Sequence, residues 1–96
     1  MSQLTIVAKI KAKKDSVESV KSELLKMIAP TRNEEGCIDY FLHQDNTDSN
    51  VFIFYENWES TVFLEKHINN DHYKAYVRVV EGLIEEKSVH KMTGIE

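Results

Sequence analysis

The sequence has few of the residues that usually reveal a site through composition alone. Its 96 residues include one cysteine, one proline and three glycines. Cys37 cannot pair within the chain, and a lone cysteine is typical of a reducing cytoplasm, which is the expected localisation. The glycines at 36, 82 and 94 stand alone, so no glycine-rich phosphate-binding loop is present. Disulfide scaffolds and nucleotide-binding fingerprints are thereby excluded.

Long apolar runs and an excess of basic residues are also lacking. No stretch approaches the roughly 18 apolar residues of a membrane helix, and no signal-peptide cleavage site follows the first residues. With 12 basic and 16 acidic residues the net charge is −4, which argues against a nucleic-acid partner. Hydrophobic residues make up 42% and charged residues 29%, an ordinary globular balance. We therefore expect one domain over residues 1–96, without a membrane or nucleic-acid partner.

The first half of the chain has the periodicity of a strand followed by a helix. Residues 3–12 alternate apolar and polar side chains, which predicts a strand with one apolar face. Asp15 is a good N-cap, and Glu18 three residues later completes a capping box. The apolar stripe that follows has helical spacing, and Pro30 is expected to end or kink this helix near Ala29.

The second half predicts a hairpin, two helices and a last strand. Two runs rich in β-formers, residues 37–44 and 51–58, flank a polar turn. Ser60 and Asp71 are expected to cap two consecutive helices, and residues 84–93 predict a weaker strand. The order β-α-β-β-α-β is the ferredoxin-like α+β plan, a four-stranded antiparallel sheet with helices on one face.

Both faces of the predicted sheet carry apolar residues. Phe52 and Phe54 lie on one face of their strand, whereas Ile53 and Tyr55 lie on the other, because side chains alternate along a strand. Helices on one face would leave the second face bare. A second copy of the chain is the simplest cover, so the pattern predicts a homodimer packed sheet to sheet.

The residues that could take part in catalysis are concentrated between positions 52 and 76. Glu56, Trp58, His67 and His72 fall within this stretch, and imidazoles titrate near neutral pH. The two histidines are separated by five positions across a predicted helix break, whereas helical metal pairs stand four apart, so no metal site is expected. Residue types alone leave open a structural interpretation, in which the aromatic residues are core and the histidines are half-exposed.

Three segments together resemble a known family. Residues 30–40 carry the pattern PTR-x-E-x-GC-x-x-Y, residues 54–60 read FYENWES, and His67 is followed by His72 and Tyr73. In this order and spacing they resemble the antibiotic biosynthesis monooxygenase family, and within it the small bacterial proteins called quinol monooxygenases. The match extends over nearly the whole chain.

The resemblance implies a dimeric α+β barrel with a pocket between sheet and helices. The family contains oxygenases that use no metal or flavin, so no cofactor is expected, and the implied partner is a small aromatic or phenolic molecule such as a quinol. The resemblance implies that His67 and His72 act as acid or base and that Glu56 orients one of them.

It also implies that the substrate contacts come from four aromatic residues. Trp58 would form an aromatic wall and Tyr40 would donate a hydrogen bond to the substrate. Phe54 and Tyr73 would make further contacts.

Other branches of the family imply other functions. The haem-degrading branch has an asparagine in its first strand and a histidine near position 77. The first predicted strand of this chain contains no asparagine, and position 77 is a valine, so haem is disfavoured. A relative that isomerises a small phosphorylated signalling molecule shares the two histidines followed by Tyr-Lys, and Arg32, Lys74 or Arg78 would then contact phosphate. A dimeric binding module without turnover is the third alternative.

Overall fold

The computed structural model describes residues 3–96 and confirms the ferredoxin-like α+β plan. The sheet is antiparallel, with strand order β2-β3-β1-β4. No helix in the described part of the chain is long and apolar enough to cross a membrane. The elements in chain order are β1 (Leu4–Ala12), a 3-10 turn (Lys14–Ser16), α1 (Val17–Lys26), α2 (Ile28–Arg32), β2 (Cys37–Gln44), β3 (Val51–Trp58), α3 (Thr61–Ile68), α4 (Asp71–Val80) and β4 (Ile84–Met92).

The core lies between the helices and one face of the sheet, called here the inner face. The register of β1 and β3 pairs Ile10 with Phe52 and Ile6 with Glu56, so these side chains lie on the same face. The stripe predicted along α1 meets this face through the fully buried Leu24. Since β3 is central and β4 is an edge strand, the inner face is packed in the middle and more open along β4.

The first helix ends earlier than predicted. It stops at Lys26, Met27 forms a break, and a second short helix begins at Ile28. Pro30 therefore lies in the first turn of α2, where its missing N–H is not needed. The helix was predicted to end or kink near Ala29, and the interruption lies at Met27, two residues earlier. A proline ring clashes with the carbonyl four residues before it, and that residue is Lys26.

Two of the three predicted helix caps are also misplaced. Asp15 lies in the 3-10 turn rather than at the start of α1. Asp71 is the first residue of α4, and the cap is its neighbour Asn70, whose side-chain oxygen accepts a hydrogen bond from the backbone N–H of Tyr73 at 3.0 Å. Ser60 occupies the N-cap position of α3, as predicted. Asn and Asp are equally good caps, so adjacent candidates cannot be separated by residue type.

Gly36 fixes the turn that leads from α2 into β2. Its φ of +85° lies in the left-handed region, which costs little only for glycine. A Cβ at this position would overlap Cγ of Phe63, so the ring of this α3 residue packs directly on the glycine backbone. This close approach holds α3 against the turn.

Gly36→Ala is expected to destabilise the protein by about 2–5 kcal/mol, the sum of a left-handed alanine and an overpacked contact. Gly82→Ala is the matched control, because Gly82 has a φ of +83° but nothing within 4 Å of an added Cβ. The control should lose only about 1–2 kcal/mol in urea unfolding. Equal losses for the two variants would show that the contact with Phe63 contributes nothing.

The outer face of the sheet is left uncovered by the described residues. Phe41 and Tyr55 pair directly on this face and are 47% and 42% exposed, whereas Val7 and Ile53 on the same face are half-buried. We propose that a second copy of the chain covers this apolar strip, as the alternation in the sequence indicates.

Sedimentation at micromolar concentration should give a species near twice 11.2 kDa. Tyr55→Glu is expected to shift the protein to monomer, because a charge would be buried without a partner. Val79→Glu, at a position 53% exposed on α4, is the control and should leave the dimer intact. A wild-type protein that sediments as a stable monomer would contradict this proposal.

Candidate active site

A cavity of about 230 Å³ opens between the inner face of the sheet and helices α3 and α4. Its walls are largely apolar, with Ile6 and Ile10 from β1 and Leu64 and Ile68 from α3. Pockets for drug-sized ligands occupy about 300–1,000 Å³, so this volume suits a smaller molecule. Of the predicted site residues, those that line the cavity are Tyr40, Phe54, Glu56, His67 and Tyr73.

His67 is the histidine of the cavity wall. It lies near the end of α3, is 2% exposed, and its Nδ1 is 2.7 Å from Oε2 of Glu34. A carboxylate can only accept, so Nδ1 carries the proton and Nε2 has a free lone pair. Burial lowers the pKa of His67, and the hydrogen bond with Glu34 opposes this effect only in part. Because the pKa is lowered, the imidazole is neutral at neutral pH.

The second nitrogen of His67 is free to meet a ligand. No hydrogen bond to Nε2 is formed by residues 3–96. Among these residues, however, no buried side-chain nitrogen or oxygen lacks a partner. Nε2 must therefore be open to space rather than enclosed by protein, and the cavity that His67 lines is that space.

His72 does not line the cavity, but it lies close to the same carboxylate. Its Nε2 is 2.9 Å from Oε2 of Glu34 and 3.3 Å from Oγ1 of Thr31. One oxygen of Glu34 thus joins two imidazoles that come from different helices.

The spacing of the two histidines does not keep them apart, contrary to the sequence argument. Only residues 69 and 70 separate α3 from α4, and the two rings approach Oε2 of Glu34 to 2.7 and 2.9 Å. The ligand atoms of Glu34, His67 and His72 all lie within 4.8 Å of one another. Two imidazoles and a carboxylate are a donor set for zinc or non-haem iron. A metal there would have to replace the hydrogen bond between His67 and Glu34.

Glu56 has a different partner from the one expected. Its Oε1 accepts a hydrogen bond from Nε1 of Trp58 at 2.9 Å, and neither histidine contacts it through a hydrogen bond. The orientation expected from Glu56 is therefore provided by Glu34. Burial raises the pKa of Glu56 to about 7, while the Trp58 hydrogen bond opposes the shift and the charge of Glu34 adds to it. Near neutral pH the carboxyl is in part protonated.

The aromatic residues pack around His67. Trp58 is fully buried, with its ring centre 4.9 Å from that of His67, and it supports the imidazole from behind instead of lining the cavity. Tyr73 meets the same ring edge-to-face at 5.1 Å. Tyr40 stacks on Phe54 at 4.5 Å, and burial raises the pKa of its phenol, so the hydroxyl remains a donor.

The basic residues suggested as phosphate contacts do not line the cavity. Arg32 donates from Nε and Nη2 to the backbone oxygen of Tyr40, at 3.0 and 2.9 Å, and its guanidinium lies 5.1 Å from the ring centre of Phe41. Lys74 and Arg78 are exposed on α4. Instead, the cavity has Lys87 and Lys91 from β4.

Three residues of the site were missed by the sequence reasoning: Glu34, Lys87 and Lys91. Glu34 belongs to the motif of residues 30–40 but had been given no role. The lysines stand four apart in a strand with a weak pattern, and period-two placement on one face was the only available signal.

Comparisons with known proteins agree with this architecture. The sequence matches the family described as "Antibiotic biosynthesis monooxygenase" over residues 3–79. It is 30% identical to the Synechocystis protein sll1783 over 84% of this chain, which spans 55% of that protein. It is 31% identical to the Escherichia coli protein named "Probable quinol monooxygenase YgiN", covering 90% of this chain and 92% of that one.

Solved structures give the same result. PA3566 from Pseudomonas aeruginosa superimposes with a TM-score of 0.96 at 33% identity, covering 100% of this chain and 97% of that one. The family match covers well over half of the sequence, and it includes the segments that supply Glu34, Glu56, His67 and His72. This chain belongs to the antibiotic biosynthesis monooxygenase family.

Proposed function

We propose that the protein is a cofactor-independent monooxygenase that oxidises a quinol or another electron-rich phenol in the cavity beside His67. The observation that carries the proposal is a neutral imidazole, fixed in one tautomer by Glu34, on the wall of a largely apolar cavity. Family membership and the name of the E. coli relative support the reaction class.

The reaction requires a base at the substrate hydroxyl. Nε2 of His67 has the free lone pair to accept a phenolic proton, and the carboxylate of Glu34 stabilises the imidazolium that forms. The resulting phenolate is electron-rich enough to pass one electron to O₂, and the two radicals then combine at a ring carbon. An apolar wall favours this step because it excludes water from the intermediate.

The substrate supplies all the electrons. A hydroquinone and O₂ give a hydroxyquinone and water: one oxygen atom enters the ring, and the other leaves as water when the O–O bond of the hydroperoxide breaks. Four electrons pass from the substrate to O₂, so no external reductant is consumed. His67 returns its proton to the outer peroxide oxygen, and the C–H bond of the attacked ring carbon breaks with the O–O bond, so that its proton completes the water. The carboxyl of Glu56 or the hydroxyl of Tyr40 can donate a hydrogen bond to the leaving oxygen.

His67→Ala is expected to lower quinol-dependent O₂ uptake by about 10²–10⁴-fold, because the base is lost. Added imidazole should restore part of the rate, since the cavity left by the side chain can admit it. His72→Ala should lose less, because that ring does not line the cavity. Glu34→Gln should lose at least about tenfold, since an amide donates to one imidazole and disturbs its tautomer.

Glu35→Gln is the matched control for Glu34→Gln, because Glu35 is its exposed neighbour, and it should retain the wild-type rate. Treatment with EDTA is expected to leave the rate unchanged. A rate that depends on added iron or zinc would instead assign Glu34, His67 and His72 to a metal. Uptake no faster than autoxidation for every quinol tried would contradict the proposal and favour an isomerase or a binding module.

The pKa of Glu56 makes a separate prediction about stability. The folded carboxyl keeps its proton up to about pH 7, whereas its ordinary pKa in the unfolded chain is 4.5. Between these values the folded state binds more protons, so this group destabilises the protein as pH rises. Glu56→Gln keeps an oxygen for Trp58 and removes the titration.

From pH 4.5 to pH 8, the free energy of unfolding of Glu56→Gln should rise relative to wild type by on the order of 3 kcal/mol. Urea unfolding at intervals across this range measures the difference. Glu59→Gln, an exposed carboxyl at the end of the same strand region, should show no such trend. A constant difference between Glu56→Gln and wild type would mean that Glu56 is ionised in the fold.

A further inference from the structure

The edge strand β4 places two lysines on the inner face, where the cavity opens. In the register with β1, Lys87 lies opposite Ile10 and Lys91 lies opposite Ile6. Directly opposed residues share a face, and Ile6 and Ile10 are buried core residues of the inner face. Both lysines accordingly line the cavity, with Val89 between them.

These two lysines have no acidic partner among residues 3–96. The neighbouring acids of the strand are already engaged, because Glu86 is 3.4 Å from Lys9 and Glu85 is 3.7 Å from Lys11. Neither Lys87 nor Lys91 has a carboxylate within 4.0 Å in the described part of the chain. The mouth of the cavity therefore has two free positive charges, although the whole chain has a net charge of −4.

The spacing of the lysines suits one anionic group at the mouth. Residues four apart on a strand are about 13 Å apart along the backbone. Lysine stems are long and flexible, so both ammonium groups can reach a group held above Val89. Tyr73 and Tyr76 of α4 also line the cavity. A flat ring can lie against the tyrosines while its charged substituent remains at the mouth.

We propose that the substrate of this cavity carries an anionic substituent, a carboxylate or a phosphate, which Lys87 and Lys91 bind at the mouth while the aromatic ring lies inside. This inference rests on the proposed function for the aromatic ring and adds the substrate class. Charge-assisted hydrogen bonds to two lysines favour the anion over a neutral ring of the same size. Lys87 and Lys91 are then specificity residues, distinct from the base His67.

Calorimetric titration without turnover tests the proposal. The probes are 6-hydroxy-2-naphthoate, 2-naphthyl phosphate and the neutral 2-naphthol. Wild type should bind at least one anionic probe about tenfold more tightly than 2-naphthol. The double variant Lys87→Gln/Lys91→Gln should lose about this factor in affinity for that anion, and its affinity for 2-naphthol should change less than twofold. The anion whose affinity falls more identifies the substituent that the lysines bind.

Two controls separate a specific site from a general charge effect. Lys14→Gln/Lys26→Gln removes the same net charge at exposed positions outside this cavity and should bind all probes as wild type does. Lys87→Arg/Lys91→Arg should keep the preference for the anion. In addition, binding of the anion by wild type should weaken between 50 and 500 mM salt, because the lysines are exposed.

Equal affinity of wild type for the neutral and anionic probes would overturn the inference. The inference would also fail if the double variant Lys87→Gln/Lys91→Gln lost as much affinity for 2-naphthol as for the anion. It would fail as well if Lys14→Gln/Lys26→Gln lost the same affinity for the anion. These outcomes are independent of oxidation. A protein that prefers the anion but consumes no O₂ contradicts the proposed function alone, whereas one that oxidises quinols without charge preference contradicts this inference alone.

Discussion

One carboxylate oxygen organises the site. Oε2 of Glu34 accepts a hydrogen bond from Nδ1 of His67 at 2.7 Å and lies 2.9 Å from Nε2 of His72, so it links the segment after α2 to both α3 and α4. A hydrogen bond to a charged group contributes about 1.5–3 kcal/mol, and here the contact also sets a tautomer. The direction of the free lone pair in the cavity depends on this oxygen. The Gly36 turn, with Phe63 packed on it, holds the same segment against α3.

Burial favours the neutral form of two titratable groups that line the cavity, His67 and Glu56. Removal from water disfavours the charged form, which lowers the pKa of His67 and raises that of Glu56. Near neutral pH the wall thus presents a neutral base and a carboxyl that is in part neutral, both suited to proton transfer. The fixed positive charges lie at the mouth, on β4.

The sequence predicts the sheet well because its signal is local. Alternation along β1 and β3 depends only on neighbouring positions, and the shared face of Phe52, Phe54 and Glu56 follows from it. The details at helix ends are less predictable. Asn70 and Asp71 are nearly equivalent as caps. A proline excludes regular helix over the turn before it, but this steric rule does not fix the exact residue at which the helix breaks.

The candidate site could be predicted only in part, because its central contact is not local. Glu34 and His67 are 33 positions apart, and nothing in residue type shows that the two meet. The lysines of β4 could be assigned to a common face by period two, but which face borders a cavity depends on how far α4 lies from the edge strand. The family resemblance supplied the histidines, Tyr40 and Glu56. It did not distinguish the cavity histidine from the one outside the cavity.

The position of Trp58 makes the protein its own optical probe. It is the single tryptophan of the chain, it is fully buried, and its indole N–H is bound to a carboxyl whose pKa is about 7. Its ring also lies 4.9 Å from that of His67. Indole emission is sensitive to nearby charge and to quenching by protonated imidazole. The intrinsic fluorescence of the protein thus reports the protonation states of Glu56 and His67 without an added label.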